Sequence, residues 1–197
     1  MGRPAKFDRD QAVEIVMNDI WKNGFGACSV KAISENLGIT RSSFYNAFQS
    51  RAALFEEILE RYSNQSPNRV LFQVDNDTRI IPLLTQMFAE VCHARASDPE
   101  GRGCMAVNCV AELVGVNETL GPMMERAVMD SIERLELLLR HAAINGEIED
   151  HGDLREKALA LQNLLIGLNV MCKVVRSEKD LWAATQQTLR GLDIHAE

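Results

Sequence analysis

Aromatic residues make up only 6% of this 197-residue chain, prolines number five, and no stretch alternates apolar and polar positions with β-branched enrichment. The signal for β-sheet is therefore weak. No apolar run approaches the roughly 20 residues that cross a bilayer. Residues 1–8 (MGRPAKFD) hold no apolar signal core, and Lys6 stands where a myristoylation signal wants Ser or Thr. A cytoplasmic location without membrane attachment is expected. The five cysteines (28, 92, 104, 109 and 172) form an odd set with no CxxC pair, which argues against a disulfide scaffold or a zinc knot and for reduced thiols. GxSxG, GxGxxG, HExxH and the phosphate-binding loop are all missing, and the four histidines (93, 141, 151 and 195) share no spacing. Neither catalysis nor a cofactor or resident metal is expected from such a set.

What is present is helical periodicity. Asp8, with Gln11 three residues on, opens a first helix whose apolar positions are Val13, Val16, Met17, Ile20 and Trp21, closed by Asn23-Gly24. Ser29 opens a second, Gly38 stops it, Thr40 begins a short third that ends near Phe48, and Ser50 opens a fourth. Beyond Ser66-Pro67-Asn68, helices are predicted over 78–96, 104–114, 117–144, 153–176 and 179–192, separated by turn residues. The fold class is all-α with about nine helices. A three-helix DNA-binding domain is expected over 1–50, a linking helix over 50–65, and a helical effector-binding and dimerisation domain over 51–197.

Residues 29–48 read SVKAISENLGITRSSFYNAF, and each feature has a mechanical reason in a helix-turn-helix. Small Ser34 permits close packing, Gly38 supplies the turn, Ile39 plugs it, and Phe44 and Phe48 anchor the third helix. Its outer face is left with Arg41, Ser42, Ser43 and Asn46, while Thr40 and Tyr45 are placed for the flanking backbone. The net charge of −7 fits DNA only when divided along the chain: residues 1–62 carry eight basic and eight acidic side chains, so the excess acid lies beyond them.

The pattern from Gly2-Arg3-Pro4 through Phe25, Ser29-Val30, Ile33, Leu37-Gly38-Ile39, 43–48 (SFYNAF), Ser50-Arg51 and 53–55 (ALF) resembles the TetR family over about 60 residues. The resemblance implies a homodimeric transcriptional regulator, expected to be a repressor, that binds a pseudo-palindromic double-stranded operator and is released by a small-molecule effector. It implies that Ser29, Lys31 and the third helix enter the major groove. Thr40, Tyr45 and Arg51 then contact phosphates, and Arg41, Ser42 and Ser43, with Asn46 beside them, read bases. Residues 2–6 (GRPAK) are a candidate basic arm.

The stretch 101–113 (GRGCMAVNCVAEL) resembles a TetR subgroup that includes the electrophile-sensing repressor of N-ethylmaleimide reductase. That resemblance makes Cys104 the candidate sensor, and a helix start beside Arg102 favours a thiolate. Packing as a small hydrophobe is the competing role. Phe88, Met105, Asn108, Glu112 and Met124 are the other candidates for effector contacts, and each also suits a core. The late segment containing Leu159, Leu161, Leu164, Leu165, Leu168, Val170, Met171 and Val174 is apolar on more than one face, as in a buried or a shared helix. Leu164, Leu168 and Met171 are the expected dimer contacts, with helices 117–144 and 153–176 forming the interface. Two alternatives stand beside this reading: a regulator of the same fold that binds protein instead of DNA, and a metal-responsive one using Cys92, His93 and Cys104.

Overall fold

A computed structural model of the chain describes residues 8–196. Among these residues there are nine α-helices, one 3-10 helix and no strand. The first three helices are α1 (Arg9–Asn23), α2 (Val30–Leu37) and α3 (Arg41–Phe48), followed by α4 (Arg51–Gln65). Each begins on a polar cap. Asp8, Ser29, Thr40 and Ser50 accept from the backbone N–H of Gln11, Ala32, Ser43 and Ala53, satisfying an amide that the helix itself leaves unpaired. Gly38 ends α2 in the left-handed region (φ 64°), and the Ile39 N–H then returns to Ser34 O at 3.0 Å.

A 3-10 helix (Pro67–Phe72) follows where the sequence predicted only a break, because Pro at the first position of a helix forfeits no hydrogen bond. The remaining helices are α5 (Ile80–Ala96), α6 (Met105–Leu113), α7 (Gly121–Ile144), α8 (Leu154–Met171) and α9 (Glu178–Gly191). Several start or stop inside the predicted spans. Thr78 is spent on a turn, its hydroxyl donating to Asp75, so α5 starts at Ile80. Asn117 likewise accepts from Thr119 and Leu120, and α7 starts only at Gly121. After Met171, the Lys173 and Val174 amides fold back to Val170 and Met171, which ends α8 short of residue 176.

Two hydrophobic cores result. The first joins α1–α4 and also takes in Cys104, Met105, Cys109, Leu113, Leu120 and Met124, so the packing beneath the helix-turn-helix runs on into α6 and the start of α7. The second is built from α5, the late part of α7, α8 and α9. There α7 turns Leu135, Leu138, Leu139 and Ala142 inward against α8. An apolar cleft of about 370 Å³ opens between α8 and α9, lined by Ala160, Leu164, Gly167, Leu168, Met171 and Ala184 among others, while α7 also leaves Met129, Leu137 and Ile144 exposed. Among the described residues, no helix is long and apolar enough to cross a membrane.

Candidate nucleic-acid interface

Phe44 and Phe48 are 0% and 2% exposed, and they clamp α3 to the first core. Every residue expected on its outer face is exposed: Arg41, Ser42, Ser43, Tyr45 and Asn46. Tyr45 is half exposed, with its ring edge-on to Phe44 at 5.4 Å, so the phenol points outward from a fixed base. Thr40 Oγ1 accepts from Ser43 N–H (3.1 Å) and lies 2.9 Å from Ser43 Oγ, which ties both hydroxyls to the helix start. At the start of α2, Ser29 is exposed and capping, and Lys31 is held only loosely by Glu35 at 3.9 Å.

Arg51 is placed differently from the sequence expectation. Its guanidinium lies 3.6 Å from the centre of the Phe25 ring and donates to Phe25 O, inside the turn between α1 and α2. Burial depresses its pKa, and Nε has no hydrogen-bond partner among the described residues. The side chain fastens a turn of the fold. Residues 2–6 lie outside the described residues.

The effector candidates are not brought into one pocket. Phe88 belongs to the second core, whereas Met105 and Met124 belong to the first. Asn108 lines a surface cleft of about 510 Å³ with Trp21, Lys22, Glu100, Arg102 and Lys173, and it accepts from Lys173 Nζ at 2.6 Å. Glu112 spends its carboxylate on the backbone amides of Phe25 and Gly26.

Cys104 is the N-cap residue of α6 and is 8% exposed. Its Sγ accepts from the Tyr62 hydroxyl at 3.3 Å, and that oxygen accepts in turn from Met105 N–H (3.2 Å) and Arg95 Nη2 (3.3 Å). Arg95 is itself buried and donates through Nε to Asn169 Oδ1. Sequence reasoning missed this junction, because Tyr62 falls on the apolar stripe of the fourth helix and nothing local marks Arg95 as its partner 33 residues away. Arg102, expected beside the thiol, instead covers the Trp21 ring at 3.9 Å and pairs with Asp98 at 3.2 Å. Trp21 Nε1 donates to Gly103 O at 3.0 Å, so α1 is tied directly to the residue before Cys104. Burial pushes the Cys28 and Cys109 thiols up to about 12 and raises those of Cys92 and Cys172 as well.

The Cys92, His93 and Cys104 set falls apart in space. Cys92 is buried in the second core against Thr185, His93 is exposed and meets Glu178 at 3.0 Å, and Cys104 lies in the first core. No group of three or more His, Cys, Asp or Glu side chains suited to a metal occurs among the described residues.

Known proteins share this architecture. Residues 18–58 match the family model for bacterial regulatory proteins of the tetR family, and residues 81–188 match a tetracyclin repressor-like C-terminal domain. The HTH-type transcriptional repressor ComR of Escherichia coli K12 is 25% identical over 191 residues, covering 96% of this chain and 90% of ComR. NemR of the same strain, also an HTH-type transcriptional repressor, is 25% identical over 166 residues, 81% of each chain. Among solved structures, a cysteine mutant of the TetR family transcriptional regulator CifR, complexed with 26-bp double-strand operator DNA, superimposes with a TM-score of 0.82. It has 26% identity, with 96% of this chain and 98% of that one covered. With more than half of the residues matched by the C-terminal model and the helix-turn-helix by the other, the chain belongs to the tetR family of bacterial regulatory proteins and is a DNA-binding transcriptional regulator.

Proposed function

We propose that this chain is a repressor, without catalytic activity of its own, that binds a pseudo-palindromic operator as a homodimer and leaves it when an effector acts on the helical domain. One observation carries the reading: α3 is held by Phe44 and Phe48 while Arg41, Ser42, Ser43, Tyr45 and Asn46 stay exposed, with no side-chain hydrogen bond to another helix among the described residues. Arg41 and Ser42 read bases, with Ser43 and Asn46 beside them, and Thr40, Tyr45, Ser29 and Lys31 hold the phosphates and the groove entrance. Arg51 supports the set from behind. The division of labour places DNA binding in residues 1–50 and effector binding and dimerisation in 51–197, with α4 as the link.

The α8–α9 cleft is the surface we assign to the partner subunit, with Leu164 and Met171 as its apolar contacts. Leu168 is 4% exposed and serves the protomer's own core as well. A dimer is needed because two copies of α3 must reach successive major grooves about 34–36 Å apart, or a multiple of that. Cys104 is the proposed chemical trigger. Conjugate addition of the thiol to an electron-poor alkene such as a maleimide breaks the alkene π bond, forms a carbon–sulfur bond at one carbon and leaves the thiol proton on its neighbour, and the added bulk has no room beside Tyr62.

The deciding experiment is operator binding over a salt series for the native protein, Arg41→Ala and Lys31→Ala. Arg41→Ala should lose about 1–3 kcal/mol and relax preference at one base pair, whereas Lys31→Ala should weaken all sequences alike and flatten the salt slope. Equal, sequence-independent losses would remove Arg41 from base reading.

A further inference from the structure

Glu112 sits on α6, in the effector half, yet its carboxylate grips a turn of the DNA-binding half. Oε2 accepts from Phe25 N–H at 2.9 Å and Oε1 from Gly26 N–H at 2.5 Å. Successive amides converging on one carboxylate form an anion-binding concavity, and such charge-assisted bonds are stronger than neutral ones. The flanking glycines make the room. A Cβ on Gly26 would come within 2.9 Å of Oε1, and one on Gly24 within 3.0 Å of Oε2. Phe25 itself is buried, and its carbonyl accepts from Arg51 of α4.

The turn between α1 and α2 therefore has two charged holders, one from each half of the molecule. Arg51 ties it to the DNA-binding unit. Glu112 ties it to α6, nine-residue helix whose N-cap is Cys104. Three residues after Gly26 comes Ser29, the cap of α2 and a proposed DNA contact. A rigid helix shifted at one end carries its other end with it, so movement of α6 reaches α2 through this carboxylate.

We propose that Glu112 is a coupling residue: its grip on the Phe25 and Gly26 amides sets the position of α2 and α3 relative to α6, and its release lowers operator affinity. The DNA readout rests on the operator-binding reading above, while the contact itself does not. Linkage requires reciprocity, so a change made in the turn must be felt along α6.

Two perturbations approach the contact from its two ends. Glu112→Gln keeps the shape but turns one acceptor oxygen into a donor amide facing an N–H. Gly26→Ala leaves Glu112 intact and pushes the carboxylate away, and Gly26 is not among the glycines with positive φ, so its backbone accepts Ala. Amide hydrogen exchange and operator anisotropy titrations are measured on both variants and on their combination. Exchange at residues 25 and 26 should quicken about tenfold in either variant, and operator affinity should fall about tenfold, equivalent to about 1.4 kcal/mol. The double variant should be no weaker than the singles, since both remove one contact. Gly26→Ala should also quicken exchange along 105–113. Full operator affinity in both variants would overturn the coupling, as would additive losses in the combination. If the native protein binds no operator, the operator reading fails by itself, and the response of 105–113 to Gly26→Ala still decides whether the halves are coupled: faster exchange supports the proposal and unchanged exchange overturns it.

Discussion

Replacing Tyr62 by Phe removes a single oxygen and keeps the ring that packs edge-on against Trp21 at 5.3 Å. That oxygen accepts from Met105 N–H and from Arg95 Nη2 and donates to Cys104 Sγ, so its loss strands two donors and frees one weak acceptor. Tyr62 is 6% exposed, and a donor left unpaired in such a place costs about 1–3 kcal/mol, more when charged. Arg95 keeps Asn169 through Nε, which limits its share, and the bond to sulfur contributes little. A total of about 2–4 kcal/mol follows, a large fraction of the roughly 5–15 kcal/mol that holds a protein folded. Urea unfolding is the assay: the midpoint should fall with an unchanged slope, because the exposed area on unfolding is the same. A loss under about 0.5 kcal/mol would refute the reasoning, since it would mean that water satisfies both donors.

Leu164→Glu, in the α8–α9 cleft, should give monomers by sedimentation with the fold intact, and a persistent dimer would move the partner surface elsewhere. Leu168→Ala should instead cost about 2–5 kcal/mol of stability, because that side chain is buried within the protomer. N-ethylmaleimide should release the native protein from operator DNA and leave Cys104→Ser bound, and equal release of both would make Cys104 a packing residue. The raised thiols of Cys28 and Cys109 give a pH dependence: above pH 9 the unfolded chain loses these protons while the folded chain keeps them. Stability should therefore hold below that value and decline between pH 9 and about 12, by up to about 1.4 kcal/mol per pH unit for each thiol. Urea midpoints that stay level to about pH 11, or a decline unchanged by Cys109→Ala, would contradict it.

Helix starts were legible because the signal is local. Asp8, Ser29, Thr40 and Ser50 each bond an amide three residues on, so composition and structure meet within one turn. The same chemistry misled where it had a rival use. Thr78 and Asn117 are good cap residues, but each closes a tight turn before its helix, and only the first turn of α5 or α7 reveals that. At α5 the first amides, Ile80 and Ile81, go to the carboxylate of Glu147, a partner 67 and 66 residues away that no window of sequence contains. The inward placement of Phe44 and Phe48 was readable from period alone, and with it the identity of the exposed face of α3.

Charged residues were harder, because a sequence assigns a charge by default to solvent, to DNA or to a ligand. Arg51 read as a phosphate contact and Glu112 as a pocket residue, while Arg95 was given no role at all. Their partners stand 26, 86 and 74 residues away, at Phe25, Gly26 and Asn169. What could have pointed to Glu112 is a requirement, since the amide of a buried residue such as Phe25 must find an acceptor. Gly24-Phe25-Gly26 places a buried aromatic between two residues without side chains, which leaves its amides uncovered and in need of an outside acceptor. A carboxylate is the strongest acceptor available for two amides at once. The glycine pair in the DNA-binding half and the acid on α6 are thus two parts of one device, and the separation that hides it from sequence is what lets it connect the two halves.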